Sequence, residues 1–333
     1  MKNVMIGALL ILVIAVFSLG ACKKSGDDNS SLLLLLASGG GKFIAVGGTT
    51  TTAGLRYSST DGINWTAITP SGHAYYGITF GYGRYLAVGD SGARTFSTDG
   101  VTWDADLTGD PEAYYGAACG LNRIIAAGGN GQIKQYDTAS GWLGTSSTAG
   151  DVYMDIAFGE TNFLIVGYNA GGGILYPSSC FGSACWDSYF FYAANKKSTT
   201  YDLAAVTYGN GKYVAVGESG WIYVVDKTGT ASSSVKAAAF GLNGVAYGNG
   251  KFVAVGLNGV GAYSTDDGVT WHSCTFSSGS AENLSAITYG NGRFVAVGNH
   301  GRTVASTDGI TFPDSMEGNV GEALSLMSGI VFR

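Results

Sequence analysis

Residues 284 to 312 read LSAITYGNGRFVAVGNHGRTVASTDGITF, and this stretch decides the fold. Three short runs, LSAITYG (284 to 290), RFVAVG (293 to 298) and RTVASTD (302 to 308), are rich in the Val, Ile, Phe, Tyr and Thr that fill pleated strands. Asn291-Gly292 separates the first two. That dipeptide suits a two-residue hairpin, whose central positions both need positive φ. Asn210-Gly211 and Asn249-Gly250 repeat the signal. A helical array would need amphipathic runs of about ten residues or more, and the chain has none.

Working outward from this stretch, the second run recurs as KFIAVG (42 to 47), RYLAVG (84 to 89), RIIAAG (123 to 128), NFLIVG (162 to 167), KYVAVG (212 to 217), KFVAVG (251 to 256) and RFVAVG (293 to 298). The terminal glycines Gly47, Gly89, Gly128, Gly167, Gly217, Gly256 and Gly298 are 42, 39, 39, 50, 39 and 42 residues apart, a period that belongs to propellers once helices are excluded. Seven units of four antiparallel strands exceed the roughly ten strands of an ordinary open sheet. The expected fold is therefore all-β, a seven-bladed β-propeller of four-stranded antiparallel blades over residues 31–333. The first strand of each unit is expected to lie innermost, because Ile78-Thr79, Ala204-Ala205 and Ser285-Ala286 place small side chains among larger ones. Composition agrees: of 333 residues 54 are Gly and 4 Pro, with 46% hydrophobic and only 13% charged. Strands covered on both faces and joined by tight turns have this make-up. Glycine lacks the triplet period of collagen, and a net charge of −6 without a Lys/Arg cluster excludes nucleic acid as a partner.

A closed ring must join its last blade to its first. Residues 324 to 329, LSLMSG, follow Leu284 by 40 residues and echo LSAITYG, so the tail is expected to pair inside blade one and latch the ring. The alternative is that SLLLLLA (31 to 37) fills that inner place and the tail forms an outer strand of blade seven.

Between the third and fourth strands of four units lies a recurring turn. Its copies are Ser59-Thr60-Asp61-Gly62-Ile63-Asn64-Trp65, Ser97-Thr98-Asp99-Gly100-Val101-Thr102-Trp103, Ser264-Thr265-Asp266-Asp267-Gly268-Val269-Thr270-Trp271 and Ser306-Thr307-Asp308-Gly309-Ile310-Thr311-Phe312. A carboxylate at the start of a turn accepts backbone N–H groups just ahead of it, glycine takes the conformation other residues resist, and the aromatic ring folds back on the sheet. The pattern resembles the Asp-box, or bacterial neuraminidase repeat. Residues 264 to 271 match it in full, and the copies ending at Trp65, Trp103 and Phe312 are one residue shorter. The whole repeat is similar to exported bacterial propellers related to sialidases and to the photosystem II assembly propeller. The resemblance implies that these turns are structural and lie away from the usual binding face. Units three to five depart from it: the runs around Asp137 and Asp226 have lost the box, and unit four replaces the turn with a longer segment between Ile174 and Tyr201.

The amino terminus carries an address. Lys2 precedes an uncharged stretch with an apolar core, IGALLILVIAVFSLG, which reads as a signal peptide or, alternatively, as an uncleaved anchor. Its end, Leu19-Gly20-Ala21-Cys22, resembles the bacterial lipobox. The resemblance implies that residues 1–21 are removed, that Cys22 is lipidated and holds the protein on a membrane, and that residues 22–30 serve as a polar tether. The expected location is the cell envelope, at the outer membrane or cell surface rather than the inner membrane.

Candidate functional residues are few. Cys180 and Cys185 in the blade-four insertion could form a disulfide or remain free thiols, whereas Cys119 and Cys274 read as buried apolar side chains. His73, His272 and His300 are scattered without ligand spacing, so no metal or cofactor is expected. The sialidase resemblance implies three clamping arginines. However, Arg84, Arg123 and Arg293 share a repeat position with Lys42, Lys212 and Lys251, and Arg56 and Arg94 both precede a box aspartate by five residues, which marks them as repeat residues. Binding is favoured over catalysis. Tyr75, Tyr76, Tyr114 and Tyr115 recur at one point of successive units, either as an aromatic rim or as blade packing. Trp186, Tyr189, Phe190, Phe191 and Tyr192 in the insertion complete the candidate surface. The expected function is a monomeric, membrane-tethered, non-catalytic scaffold for an envelope protein or glycan. The alternatives are a sialidase-like glycoside hydrolase and an assembly factor for an envelope complex.

Overall fold

The structure is a computed structural model that describes residues 41–48, 54–137, 140–146, 148–178, 196–277, 279, 281–320 and 327–333. It is all-β: seven antiparallel sheets stand around an axis, and the helical pieces among the described residues are three-residue 3-10 turns. The innermost strands are Tyr75–Gly81, Tyr114–Gly120, Val152–Phe158, Leu203–Gly209, Leu242–Gly248, Leu284–Gly290 and Met327–Phe332. Each packs against the next, and Met327–Phe332 lies between Leu284–Gly290 and Tyr75–Gly81, so the circle is complete. Six blades have four strands; in blade two the outer place is held by a single antiparallel bridge between Arg94 and Leu107.

The ring closes by the latch. Met327–Phe332 pairs antiparallel with Phe43–Gly47 and takes the inner place of blade one. Its register differs from the expected one by three residues, because Met327, and not Leu324, occupies the position of Leu284. The reason lies at the far end of the strand. The last glycine of an inner strand accommodates an aromatic ring from the next blade, as Gly120 does Phe158, Gly209 does Tyr247 and Gly248 does Tyr289. Gly290 meets Phe332, so that ring must sit where Tyr289 sits one blade earlier.

The diagnostic glycine at the end of each second strand also has a physical cause. A Cβ on Gly89 would lie 1.8 Å from the Ala74 carbonyl oxygen, and one on Gly298 would lie 2.0 Å from that of Asn283. These carbonyls accept the first N–H of the following 3-10 turn, Asp90 N to Ala74 O at 3.0 Å and Asn299 N to Asn283 O at 3.0 Å. The glycine is needed for close backbone approach rather than for an unusual φ. At the opposite end of the blades, Asn210 and Gly211 have φ of 46° and 79°, as the hairpin signal required.

The core lies between blades. Phe163, Ile165 and Ile174 of blade four pack on Ile125, Ala127 and Ile133 of blade three, and equivalent clusters fill the other interfaces. A single sheet has no such cover, so each blade is stabilised by its neighbours.

The aspartate turns cap these interfaces. Each lies between the third and fourth strands of its blade. Asp99 Oδ1 accepts Val101 N and Thr102 N at 2.7 Å each, and Asp308 Oδ1 accepts Ile310 N and Thr311 N at 2.8 and 2.9 Å. The Val101 and Thr102 amides hold the Asp99 carboxyl down at about 2. In the longer copy Asp267 takes φ of 61°, and Asp266 reaches one residue further, to Thr270 N and Thr270 Oγ1. Gly62 packs on Val295 of blade seven, and Gly268 on Val214 and Val224 of blade five, so each turn sits against the preceding blade. Two of the turns expected to have lost the motif keep its carboxylate. Asp226 accepts Thr228 N and Thr230 N, and Asp137 accepts Ser140 N, so the N–H geometry survives without the surrounding residues.

The serine at the head of each box contributes as much as the aspartate. Ser306 is fully buried; it accepts Gly309 N at 2.9 Å and donates to Asp308 Oδ1 at 2.8 Å. Ser306→Ala is expected to lower stability by about 1–3 kcal/mol, because it leaves a buried N–H unpaired. Asp308→Asn, which keeps an acceptor, should cost less. Chemical denaturation of the two variants checks the order.

Candidate binding face

One face carries the starts of the inner strands and the 3-10 turns, and the other carries the hairpins and aspartate turns. On the first face the paired tyrosines divide. Tyr75 and Tyr114 are fully buried, as is Tyr153 at the equivalent place in blade four. They therefore belong to blade packing, and the reading of them as an exposed rim is corrected. The strand alternates, so the residue that starts it points between blades and the next one points to the axis.

The buried tyrosines anchor a repeated polar layer. Tyr114 Oη donates to Asp110 Oδ2 at 3.0 Å, and the Arg94 guanidinium pairs with the same carboxylate while lying 5.5 Å from the Tyr114 ring and 4.7 Å from the Trp142 ring. Lys134 Nζ reaches Asp110 at 2.7 and 2.8 Å. One interface earlier, Arg56 lies over Tyr75 and Trp103, and Tyr75 Oη donates to Asp106. One interface later, Lys196 pairs with Asp151, which also accepts Tyr153 Oη. Arg56 and Arg94 are thus inter-blade packing residues, buried to 7% and 4% exposure. The hairpin cations do related work on the other face, where Arg293 Nη1 donates to Asp61 O of the next blade at 2.8 Å.

Tyr76 and Tyr115, by contrast, line a central channel of about 420 Å³, their rings tilted 33° to one another with centroids 5.5 Å apart. Their neighbours around the ring are Met154, Ala204, Asn243, Ser285 and Ser328. One residue further along, the ring runs Gly77, Gly116, Asp155, Ala205, Gly244, Ala286 and Gly329, so blade four places a carboxylate where every other blade has Gly or Ala. Sequence reasoning missed Asp155; its signal was the Asp in VYMDIAF at a position otherwise held by small residues. Asp155 accepts Ile156 N at 2.8 Å and Val206 N of blade five at 2.9 Å. Burial nevertheless pushes its carboxyl up to about 7.

This shift fixes a pH dependence. Between the ordinary value of 3.8 and about 7, the folded protein holds a proton on Asp155 that the unfolded chain has released. Stability from this group is therefore present at pH 4 and lost as pH rises through 7. Tyr76 and Tyr115, the other titratable side chains among the described residues that line the channel, are pushed above 10 by burial and stay neutral throughout this range. Asp155→Asn should be roughly 2–4 kcal/mol more stable than the parent at pH 8 and about equal to it near pH 4. Urea denaturation at the two pH values measures this.

A groove of about 410 Å³ opens beside the channel between blades five and six, and Met154, Ala204 and Asn243 line both. Phe240 and Leu257 form its lip, 46% and 38% exposed.

The other candidates separate as follows. Trp271 Nε1 donates to Gly268 O within its own turn, and Phe312 stacks on Phe276 at 4.8 Å. Trp65 packs into the core between blades seven and one, and Trp103 packs beneath Arg56. Cys274 is a free thiol that burial pushes up to about 12. Cys119 is disulfide-bonded, which corrects its reading as a plain apolar side chain. Cys22, Cys180, Cys185, Trp186, Tyr189, Phe190, Phe191 and Tyr192 lie outside the described residues. His73 meets Asp90 at 3.0 Å and His300 meets Glu282 at 2.7 Å, one pair on blade two and the other on blade seven. No family model matches the chain and no curated protein is significantly similar to it, so the meaning of this face rests on its own residues.

Proposed function

We propose that the protein is an exported, monomeric propeller, lipid-anchored through Cys22 at the cell envelope, that acts as a non-catalytic binding scaffold for a protein or glycan. The observation that carries the binding reading is the continuous concavity formed by the channel mouth and the adjoining groove on the face of the inner-strand starts. Ligand clefts favour such sites, where apolar walls carry a few polar groups and the backbone is fixed before the ligand arrives. The arginines that a sialidase reading would require instead hold blades together at Arg56 and Arg94. The anchor is supported by Leu19-Gly20-Ala21-Cys22 and the polar residues after it.

The test has two arms. Radiolabelled fatty acid should enter the wild-type chain in cells but not Cys22→Ser, and the variant should leave the membrane fraction. Purified full-length protein in detergent should bind members of a glycan or peptide array without consuming them. Release of product from a reporter glycoside, abolished by a carboxylate substitution on this face, would replace the scaffold reading with a hydrolase.

A further inference from the structure

Resting on the scaffold reading, we infer that the groove between blades five and six receives an extended peptide segment of a partner protein in which a Lys or Arg adjoins a large apolar side chain. Two features of the groove meet here. The first is exposed apolar surface: Phe240 and Leu257 stand at the lip, and the half-buried Met154 and Tyr168 line the wall. Large exposed apolar side chains gathered at one concave place mark interaction sites. The second is charge. Asp202 and Glu218 line the same groove, and among the described residues neither carboxylate has a hydrogen-bond donor or a cation as partner. Among the described residues no Lys or Arg lines the groove.

The backbone brings the two acids together. Glu218 opens the 3-10 turn Glu218–Gly220, and its N–H donates to Asp202 O at 2.8 Å, the bond that the repeat makes in each blade where this turn occurs. Among the described residues blade five alone puts an acid at both ends of this bond; the other pairs are Ala74 and Asp90, Ala113 and Gly129, Gly241 and Leu257, and Asn283 and Asn299. Burial, with the neighbouring Glu218 charge, raises the Asp202 carboxyl above its ordinary value. An arriving cation relieves both effects, whereas a neutral ligand would cover the carboxylates without compensating them. Phe240 and Tyr168 give the groove aromatic surface, and the two unpaired carboxylates are what favour a cationic segment over a neutral sugar. The groove shares Met154, Ala204 and Asn243 with the channel mouth, so an extended segment can continue from one into the other.

The experiment uses the detergent-solubilised full chain and fluorescein-labelled peptides with the core Phe-Lys-Leu-Lys, compared with the core Phe-Gln-Leu-Gln, read by anisotropy. Binding of the lysine peptide at least about tenfold tighter than the glutamine peptide is expected. The same loss is expected for Asp202→Asn combined with Glu218→Gln, and for Phe240→Ser. Val269→Ser, which removes an exposed apolar side chain from the opposite face, should change nothing and reports that the fold tolerates such a change. Equal binding of the two peptides, or no loss in the Asp202 and Glu218 variant, overturns the inference. Capture of a neutral glycan in this groove, lost in Phe240→Ser, overturns it while leaving the scaffold reading in place. Glycoside turnover overturns both.

Discussion

Deleting residues 327–333 is expected to abolish the cooperative thermal transition of the propeller, or to lower its Tm by more than about 15 °C. The deletion removes the inner strand of blade one, Met327–Phe332, which packs on both Leu284–Gly290 and Tyr75–Gly81 and so joins the last blade to the first two. Met327 is fully buried and Ile330 is 9% exposed. The Phe332 ring lies 4.6 Å from that of Phe43 and covers Gly290. Beyond it, Lys42 and Arg333 exchange two backbone bonds, and the Arg333 guanidinium lies 4.4 Å from the Phe80 ring. Burial of three such apolar side chains is worth about 1.5–3 kcal/mol each, and the strand bonds about 0.5–1.5 kcal/mol each. Together they rival the whole stability of a typical domain, about 5–15 kcal/mol. The deletion also bares the edge of Phe43–Gly47, a strand whose five residues are all buried, and such an edge invites aggregation. Phe332→Ala gives a graded form of the same test, with an expected loss of about 3 kcal/mol. Scanning calorimetry of both proteins decides the matter; a truncated chain that melts like the parent would mean that the ring is held without its latch.

The second large effect is expected at Asp110. Its carboxylate serves Arg94, Lys134 and Tyr114 at once, and Arg94 is 5% exposed at its side chain. Asp110→Ala should cost about 3–5 kcal/mol, roughly 10 °C in Tm, because it leaves two cations near an interface with no counter-charge. Arg94→Met combined with Asp110→Ala should recover a large part of this, since the methionine can fill the space beside Tyr114 and Trp142 without a charge. A double-mutant cycle by urea denaturation separates the interaction from the burial penalty. The sign with pH follows from the same contacts. Although burial alone would raise the Asp110 carboxyl, Lys134 and Arg94 hold it below its ordinary value, so the stabilisation is present above pH 4 and disappears as pH falls below that. This trend is opposite to that of Asp155, and the two variants should therefore tilt the stability profile in opposite directions.

The chain displayed its repeat openly, because every unit faces the same two neighbours and so needs the same residues at the same places. Gly89 and Gly298 illustrate this: one backbone contact, repeated around the ring, leaves one glycine per unit. The hairpins at Asn210, Asn249 and Asn291 were legible for the same local reason. The latch could be anticipated from LSLMSG, but its register could not, because Phe332 is placed by Gly290 of another blade.

The candidate site was much less legible. Tyr75 and Tyr76 are adjacent and alike in sequence, yet one is sealed between blades and the other faces the axis. Asp155 is an ordinary aspartate in the chain and becomes a perturbed one only when seven inner strands close around it. Asp202 and Glu218 are separated by fifteen intervening residues and meet through one turn bond.

The sequence alone determined the strand content, the unit length, the number of blades and the chemistry of the turns, since these depend on contacts within a unit or between identical units. Tertiary structure alone decided which copies differ in consequence, because burial, the channel and the groove come from residues of different blades converging on one axis, and no local pattern records that convergence.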